Sequence, residues 1–257
     1  MLLAIDIGNT NITLGLYKGN NLGPRWRLST DHNRMPDEYG IILINLFQHA
    51  GVSVEEVDAI IVASVVPPLT GTFDHACRTF LNCQPLIVDA GTKTGVRIRY
   101  EDPKQVGADR VVDAAAVHRL YGGPACIVDF GTATTFDGIS AEGEYLGGAI
   151  APGIGIASEA LFQKTAKLPR VELNRPPSAI GRNTVQSLQS GLLFGYVGLV
   201  EGMVARFRVE LGPTMKVIGT GGLAEVIARE TKVIEIIAPW LTLEGLRIIY
   251  EMNRGTR

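Results

Sequence analysis

Histidine and cysteine are scarce in this 257-residue chain, at four and three residues, and neither type clusters. His32, His49, His75 and His118 supply no ligand pair and no catalytic constellation. Cys77, Cys83 and Cys126 are odd in number and lack metal-ligand spacing, which points to buried or free thiols of a reducing compartment. An excess of positive charge is missing too. With 24 Lys and Arg against 26 Asp and Glu, no basic surface demands nucleic acid, and a small-molecule partner is expected. No apolar run reaches the ~20 residues that span a bilayer. The longest, Gly191 to Ala205, is interrupted by Glu201. The opening Met1-Leu2-Leu3-Ala4-Ile5-Asp6 has no basic segment and meets an acid too early for a signal peptide. The expectation is a cytoplasmic protein without a membrane partner.

The remaining composition, 46% hydrophobic and 19% charged, is that of an ordinary globular protein. The length suits two halves of roughly 115–140 residues sharing a cleft. The organising stretch is Ala4 to Gly15, an apolar strand, an Asp, a turn of Gly, Asn and Thr, and a second strand from Ile12 to Tyr17. Gly8 lets backbone approach a ligand. Asn9, Thr10, Asn11 and Thr13 add side-chain donors, and such a nest suits phosphate oxygens. Asp6 is placed to hold a hydrated Mg²⁺ riding on those phosphates. A plain hairpin explains the same string. The pattern returns at Cys126 to Gly138, with Asp129 and Gly131 each 123 residues beyond Asp6 and Gly8. A repeat at this distance means two related halves rather than a solenoid. A third string, Lys216-Val217-Ile218-Gly219-Thr220-Gly221-Gly222-Leu223-Ala224, reads as a strand, a glycine turn and a helix start suited to a nucleoside or phosphate. Its first-half counterpart is Ala59 to Pro68.

Between these strings the pattern predicts a third strand at Arg25–Thr30 and a helix opened by Pro36, Asp37 and Glu38 and ended by Gly51. The apolar face of that helix is Tyr39, Ile42, Leu43, Leu46, Phe47 and Ala50. A capping box at Ser53–Glu56 follows, then a strand to Val66, a helix over Leu69–Leu81 and a strand at Pro85–Val88. Three strands followed by alternating helix and strand is the order of a ribonuclease-H-like half. Val96–Tyr100 alternates like an edge strand. Gly107-Ala108-Asp109-Arg110 precedes an alanine-rich helix, where Asp109 occupies the place of an N-cap and composition alone favours that role. Arg110 suits either an anionic substrate or a surface ion pair. Gly147 to Gly155 reads as a glycine turn entering a helix over Ile156–Lys167, and Leu168–Ile180 as an irregular loop that could cover a site. Asn183 caps the longest predicted helix, to about Leu211. Its Gly191, Gly195, Gly198 and Gly202 cost about 1 kcal/mol each relative to Ala, which calls for close packing at a two-fold interface or against a sheet. A last helix spans Leu243–Asn253, with Leu246, Ile249 and Tyr250 on one face.

The Asp-turn, second Asp-turn and G-T-G-G turn, in that order, resemble the phosphate 1, phosphate 2 and adenosine motifs of the actin, sugar-kinase and Hsp70 ATPase superfamily. D-I-G-N-T-N at 6–11, G-A-D-R at 107–110, D-F-G-T-A-T-T at 129–135, G-G-A-I-A-P-G at 147–153 and I-G-R-N-T at 180–184 together resemble type III pantothenate kinase over nearly the whole chain. The resemblance implies an α/β fold of two duplicated ribonuclease-H-like halves, residues 1–117 and 118–257, with a nucleotide cleft between them. It implies transfer of the ATP γ-phosphate to the terminal hydroxyl of pantothenate, the first step of coenzyme A synthesis. Asp6 would hold Mg²⁺; Ile7, Gly8, Asn9, Thr10, Asn11, Ile12, Thr13 and Thr132 would contact ATP. Asp129 would support a monovalent cation, K⁺ or NH₄⁺, and Asp109 would be the general base rather than a cap. Tyr100, Gly107, Ala108, Asp109, Arg110 and Thr184 would bind pantothenate, Thr184 reaching the neighbouring subunit's substrate in a homodimer. The alternatives are a kinase of the same superfamily acting on another small substrate and a non-catalytic nucleotide-binding regulator.

Overall fold

A computed structural model describes residues 1–255. The chain opens with β1 (Leu2–Ile7), β2 (Asn11–Lys18), β3 (Asn21–Ser29), α1 (Pro36–His49), β4 (Ala59–Ser64), α2 (Pro67–Phe80), β5 (Leu86–Ile87) and α3 (Ala108–Leu120). It continues with β6 (Ala125–Phe130), β7 (Ala133–Ile139), β8 (Tyr145–Pro152), α4 (Ile154–Lys164) and α5 (Thr184–Leu211). It ends with β9 (Lys216–Gly221), α6 (Ala224–Ala228), β10 (Ile236–Ile237) and α7 (Leu241–Asn253). These elements form two compact units.

In the first unit the sheet order is β3-β2-β1-β4-β5. β1 runs antiparallel to β2 and parallel to β4. Central position explains why β1 and β4 read as continuous apolar runs: Leu3, Ala4, Ile5, Ile61, Val62 and Ala63 are all fully buried. Edge strand β3 alternates exposed and half-buried residues and begins four residues before the predicted Arg25. The expected face of α1 is the buried one, with Tyr39, Leu43 and Phe47 inaccessible and Ile42 and Leu46 packed beside them. The box at Ser53 forms, Ser53 N donating to Glu56 Oε1 at 3.1 Å. In α3, every residue from Val111 to Val117 is buried, so the alanine-rich run is a core helix.

In the second unit the order is β8-β7-β6-β9-β10, and β6 is antiparallel to β7 and parallel to β9. The two sheets share one topology, so the duplication read from the Asp-turns extends through five strands. Helix α5 starts where predicted. Asn183 Oδ1 accepts from Gln186 N at 2.9 Å, satisfying one of the first-turn donors. By length and composition α5 could cross a membrane, but Leu192, Leu193, Tyr196, Val197, Val200 and Val204 are buried in the second core.

Three expectations change, and a fourth, the two settings open to the α5 glycines, narrows to one. Residues 147–152 are strand rather than turn, because β8 pairs with β7 as far as Pro152, and the following helix starts at Ile154. Of the Val96–Tyr100 strand, a single bridge forms, between Ile98 and Tyr145. The α5 glycines do not face the sheet: Cβ atoms on Gly191, Gly195 and Gly198 would meet nothing within 4 Å, and one on Gly202 only the Arg206 guanidinium at 3.4 Å. Finally, a split at 117/118 puts α7 in the second half, whereas it belongs to the first unit. Its apolar face needs a core, and Leu246 and Ile249 find one against β1, β2 and β4, with the Tyr17 hydroxyl bonded to Glu244 at 3.0 Å.

Candidate active site

In the first unit β1 ends at Ile7 and the chain turns through Gly8, Asn9 and Thr10. Gly8 N donates to Asn11 O at 3.0 Å, Thr30 N to Thr10 O at 2.9 Å, and the Thr30 hydroxyl to Gly8 O at 2.7 Å. These bonds occupy the carbonyls of Gly8, Thr10 and Asn11, while the side chains of Asn9, Thr10 and Asn11 stay exposed and Asp6 and Thr13 are half-buried. Ile7 and Ile12 are fully buried, so only their backbone is available to a ligand. The same end of the sheet holds the G-A-D-R string. Val65 N donates to Ile7 O at 3.0 Å, and a Cβ on Gly107 would lie 3.4 Å from the Val65 side chain and 2.5 Å from the Asp109 carboxylate. Asp109 is not the N-cap. The helix begins at Ala108, so Asp109 is its second residue, and its Oδ1 accepts from Arg110 N at 2.8 Å. Gly107, Ala108, Asp109 and Arg110 are all half-buried. The acid thus serves the first turn from inside the helix rather than from the N-cap.

In the second unit the turn after Asp129 is one residue shorter, Gly131 and Thr132, and is closed in the same way by Gly131 N donating to Ala133 O at 3.0 Å. Asp129 pairs with Thr220 across the parallel ladder. The next residue, Gly221, has φ +87°, and a Cβ there would collide with Asp129 Oδ1 and the Phe130 backbone. From the other side, Gly153 N donates to Thr132 O at 3.1 Å, and a Cβ on Gly153 would collide with that carbonyl and with Gly131 O. Three strings far apart in sequence thus meet at one turn, Gly221 against the Asp129 carboxylate and Gly153 against the Gly131 and Thr132 carbonyls. Gly153 and Gly221 lie in glycine strings that the sequence singles out, and their contacts with the Asp129 turn are what the structure adds. Tyr100 is 38% exposed, and Thr132 and Thr184 are exposed, Thr184 as the first residue of α5. The Leu168–Ile180 segment is irregular and tied down: Gln189 donates to Glu172 O at 3.1 Å, the Ser190 hydroxyl to Ala179 O at 2.6 Å, and Arg175 pairs with Glu230 at 2.9 Å.

The donor set fits hard cations carried largely by other ligands. Among the described residues no three His, Cys, Asp or Glu gather into a protein metal cage. Each Asp-turn brings one carboxylate, Asp6 or Asp129, the pattern for a Mg²⁺ that keeps its waters and phosphates, or for a weakly held monovalent ion. A cavity of about 700 Å³ lies at the opposite end of β1, lined by Met1, Lys18, Asp58, Arg247 and Glu251 among others, and includes none of the Asp-turn residues. The three cysteines are free. Burial pushes the thiols of Cys77 and Cys126 up to about 12, which fits packing rather than chemistry.

Solved structures with the same fold cover almost all of the chain. A Campylobacter jejuni protein, provisionally described as a conserved Baf family transcriptional activator, has a TM-score of 0.63 at 20% identity and covers 98% of both chains. The ethanolamine utilization protein EutJ of Carboxydothermus hydrogenoformans has a TM-score of 0.55 at 14% identity, over 96% of this chain and 89% of its own. These likenesses show the fold, two α/β halves of one topology. Sequence narrows this. The profile of type III pantothenate kinase matches residues 2–206. Curated relatives named type III pantothenate kinase are 55% identical over 255 residues in Roseiflexus sp. strain RS-1 (99% of this chain, 100% of the relative) and 54% over 253 residues in Moorella thermoacetica (98% and 100%). The chain belongs to the type III pantothenate kinase family.

Proposed function

We propose that this chain transfers the γ-phosphate of ATP to the terminal hydroxyl of pantothenate, its family's step in coenzyme A synthesis, with Asp109 as general base. The observation that supports the base assignment is the position of Asp109 in the first turn of α3, beside Gly107 and on the Val65 side of the Asp6 turn. As the pantothenate oxygen bonds to phosphorus, its proton passes to the Asp109 carboxylate, and the bridging oxygen leaves with ADP. Asp6 would hold Mg²⁺, which neutralises phosphate charge. Gly8 to Asn11 and Thr13 would hold phosphates, with Ile7 and Ile12 contributing backbone only, and Thr132 would do so through its hydroxyl and N–H. Asp129, under the Gly221 turn, would support K⁺ or NH₄⁺. Tyr100, Gly107, Ala108, Arg110 and Thr184 would contact pantothenate.

The α5 glycines support a homodimer. A second copy's helix packed over Gly191, Gly195 and Gly198 would supply the reason for glycines whose added Cβ would meet no other element among the described residues within 4 Å. Free cysteines and the biosynthetic role fit the cytoplasm.

The test is pantothenate-dependent ADP formation by the wild-type protein and by Asp109→Asn. Turnover with pantothenate that falls about 10² to 10⁴-fold in the variant, at an unchanged melting temperature, is expected. Near-normal turnover in the variant refutes the base assignment. ATP use indifferent to pantothenate refutes the acceptor.

A further inference from the structure

Asp137, on β7, is a buried carboxylate at 2% exposure that the reaction above does not use. Its Oδ1 accepts from the Tyr145 hydroxyl at 2.8 Å and its Oδ2 from the Thr135 hydroxyl at 3.2 Å. Tyr145 is itself fully buried. A phenylalanine facing an apolar residue would fill this space without polar groups to satisfy, so the pair contributes orientation rather than burial. What it orients is visible in the backbone. Tyr145 N donates to Arg97 O at 2.9 Å and Arg99 N donates to Tyr145 O at 2.8 Å, so one residue carries both rungs that attach residues 97–100 to the second unit. The flanking ion pairs, Arg99 to Glu144 at 2.9 Å and Arg97 to Glu144 at 3.7 Å, have exposed arginines and add little. At the end of this segment the Tyr100 ring sits 6.4 Å from the Tyr145 ring, tilted by 49°. It also lies 3.3 Å from where a Cβ on Gly147 would stand, and Gly147 has φ +117°. Tyr100 therefore leans on Tyr145 and on a bare stretch of β8.

We propose that Asp137, acting through the Tyr145 hydroxyl, positions Tyr100 and thereby sets the affinity for the acceptor alcohol. Asp137 and Tyr145 are positioning residues and touch no substrate. The inference rests on the reading of Tyr100 as a pantothenate contact.

Steady-state kinetics with pantothenate and ATP varied separately test it, on Tyr145→Phe, Asp137→Asn, Tyr100→Ala and the Tyr145→Phe/Tyr100→Ala double variant. Tyr145→Phe keeps the ring and should fold even if Asp137→Asn does not. Tyr145→Phe is expected to raise KM for pantothenate about tenfold, with kcat and KM for ATP within about twofold. The double variant should be no worse than Tyr100→Ala alone, since both changes remove one device. A Tyr145→Phe effect shared equally by both KM values, or confined to kcat, overturns the proposal in favour of a general packing role. An unchanged pantothenate KM in Tyr145→Phe, alongside a raised one in Tyr100→Ala, overturns the positioning role and leaves the reading of Tyr100 intact. An unchanged pantothenate KM in Tyr100→Ala removes that reading, and the proposal falls with it.

Discussion

In the first unit the chain leaves Asp6 through three residues and shows Asn9, Thr10 and Asn11 to solvent. In the second it leaves Asp129 through two, with Gly221 against the carboxylate and Gly153 bonded to the turn. The strand order, the parallel partner and the Gly N–H that closes each turn are the same in both. Duplication supplied the frame; the difference lies in what borders the acid. The open turn offers side-chain donors, suited to a hydrated divalent ion and its phosphates. The closed turn offers backbone, suited to a cation held without a strong ligand field. Within the first unit the G-A-D-R acid stands on the Val65 side of the open turn, and the proposed proton transfer is assigned to it.

The largest expected effect that sharpens this contrast is on catalysis, the Asp109→Asn loss already described, which should appear with no change in melting temperature. Next, the closed turn should be intolerant where the open one is not. Gly221→Ala puts a Cβ at positive φ into the Asp129 carboxylate and should destabilise by more than about 1 kcal/mol, measured by denaturant unfolding. Asn9→Ala, at an exposed position, should stay within about 0.5 kcal/mol of wild type. Equal tolerance at both positions would break the contrast. Asn183→Ala, which removes the cap from α5, should cost about 1 kcal/mol in the same assay.

The smallest effect concerns pH. Cys77 and Cys126 are raised from an ordinary 9.0 to about 12 by burial, so the folded state keeps protons that the unfolded chain releases. Their contribution to stability is complete below pH 9 and is lost as pH rises towards 12, by about 1.4 kcal/mol per pH unit for each thiol. Unfolding midpoints from pH 8 to 10.5 should fall, and should fall less steeply in Cys126→Ala.

Local signals carried much of the architecture. Alternation and apolar runs located the strands around both Asp-turns, and Pro36, Gly51 and Asn183 marked helix ends because their backbone and side-chain chemistry acts within one turn. Glycines misled where their role was tertiary. Gly147 and Gly148 read as a turn but lie within β8, the first where the Tyr100 ring crosses the strand. Asp109 read as a cap because the sequence does not show that Ala108 is already helical. The docking of α7 on the first sheet and the closure of Gly221 over Asp129 depend on contacts between distant residues, to which no local period points.

The measurement that tests the account most directly is cation activation of pantothenate-dependent ADP formation, titrating Mg²⁺ at fixed K⁺ and K⁺ against Na⁺ at fixed Mg²⁺, in wild type, Asp6→Asn and Asp129→Asn. The account predicts that Asp6→Asn raises the Mg²⁺ requirement and keeps the preference for K⁺. Asp129→Asn should abolish that preference and keep the Mg²⁺ requirement. Both variants shifting the same cation, or a wild-type enzyme indifferent to K⁺, would contradict the division of labour between the two turns.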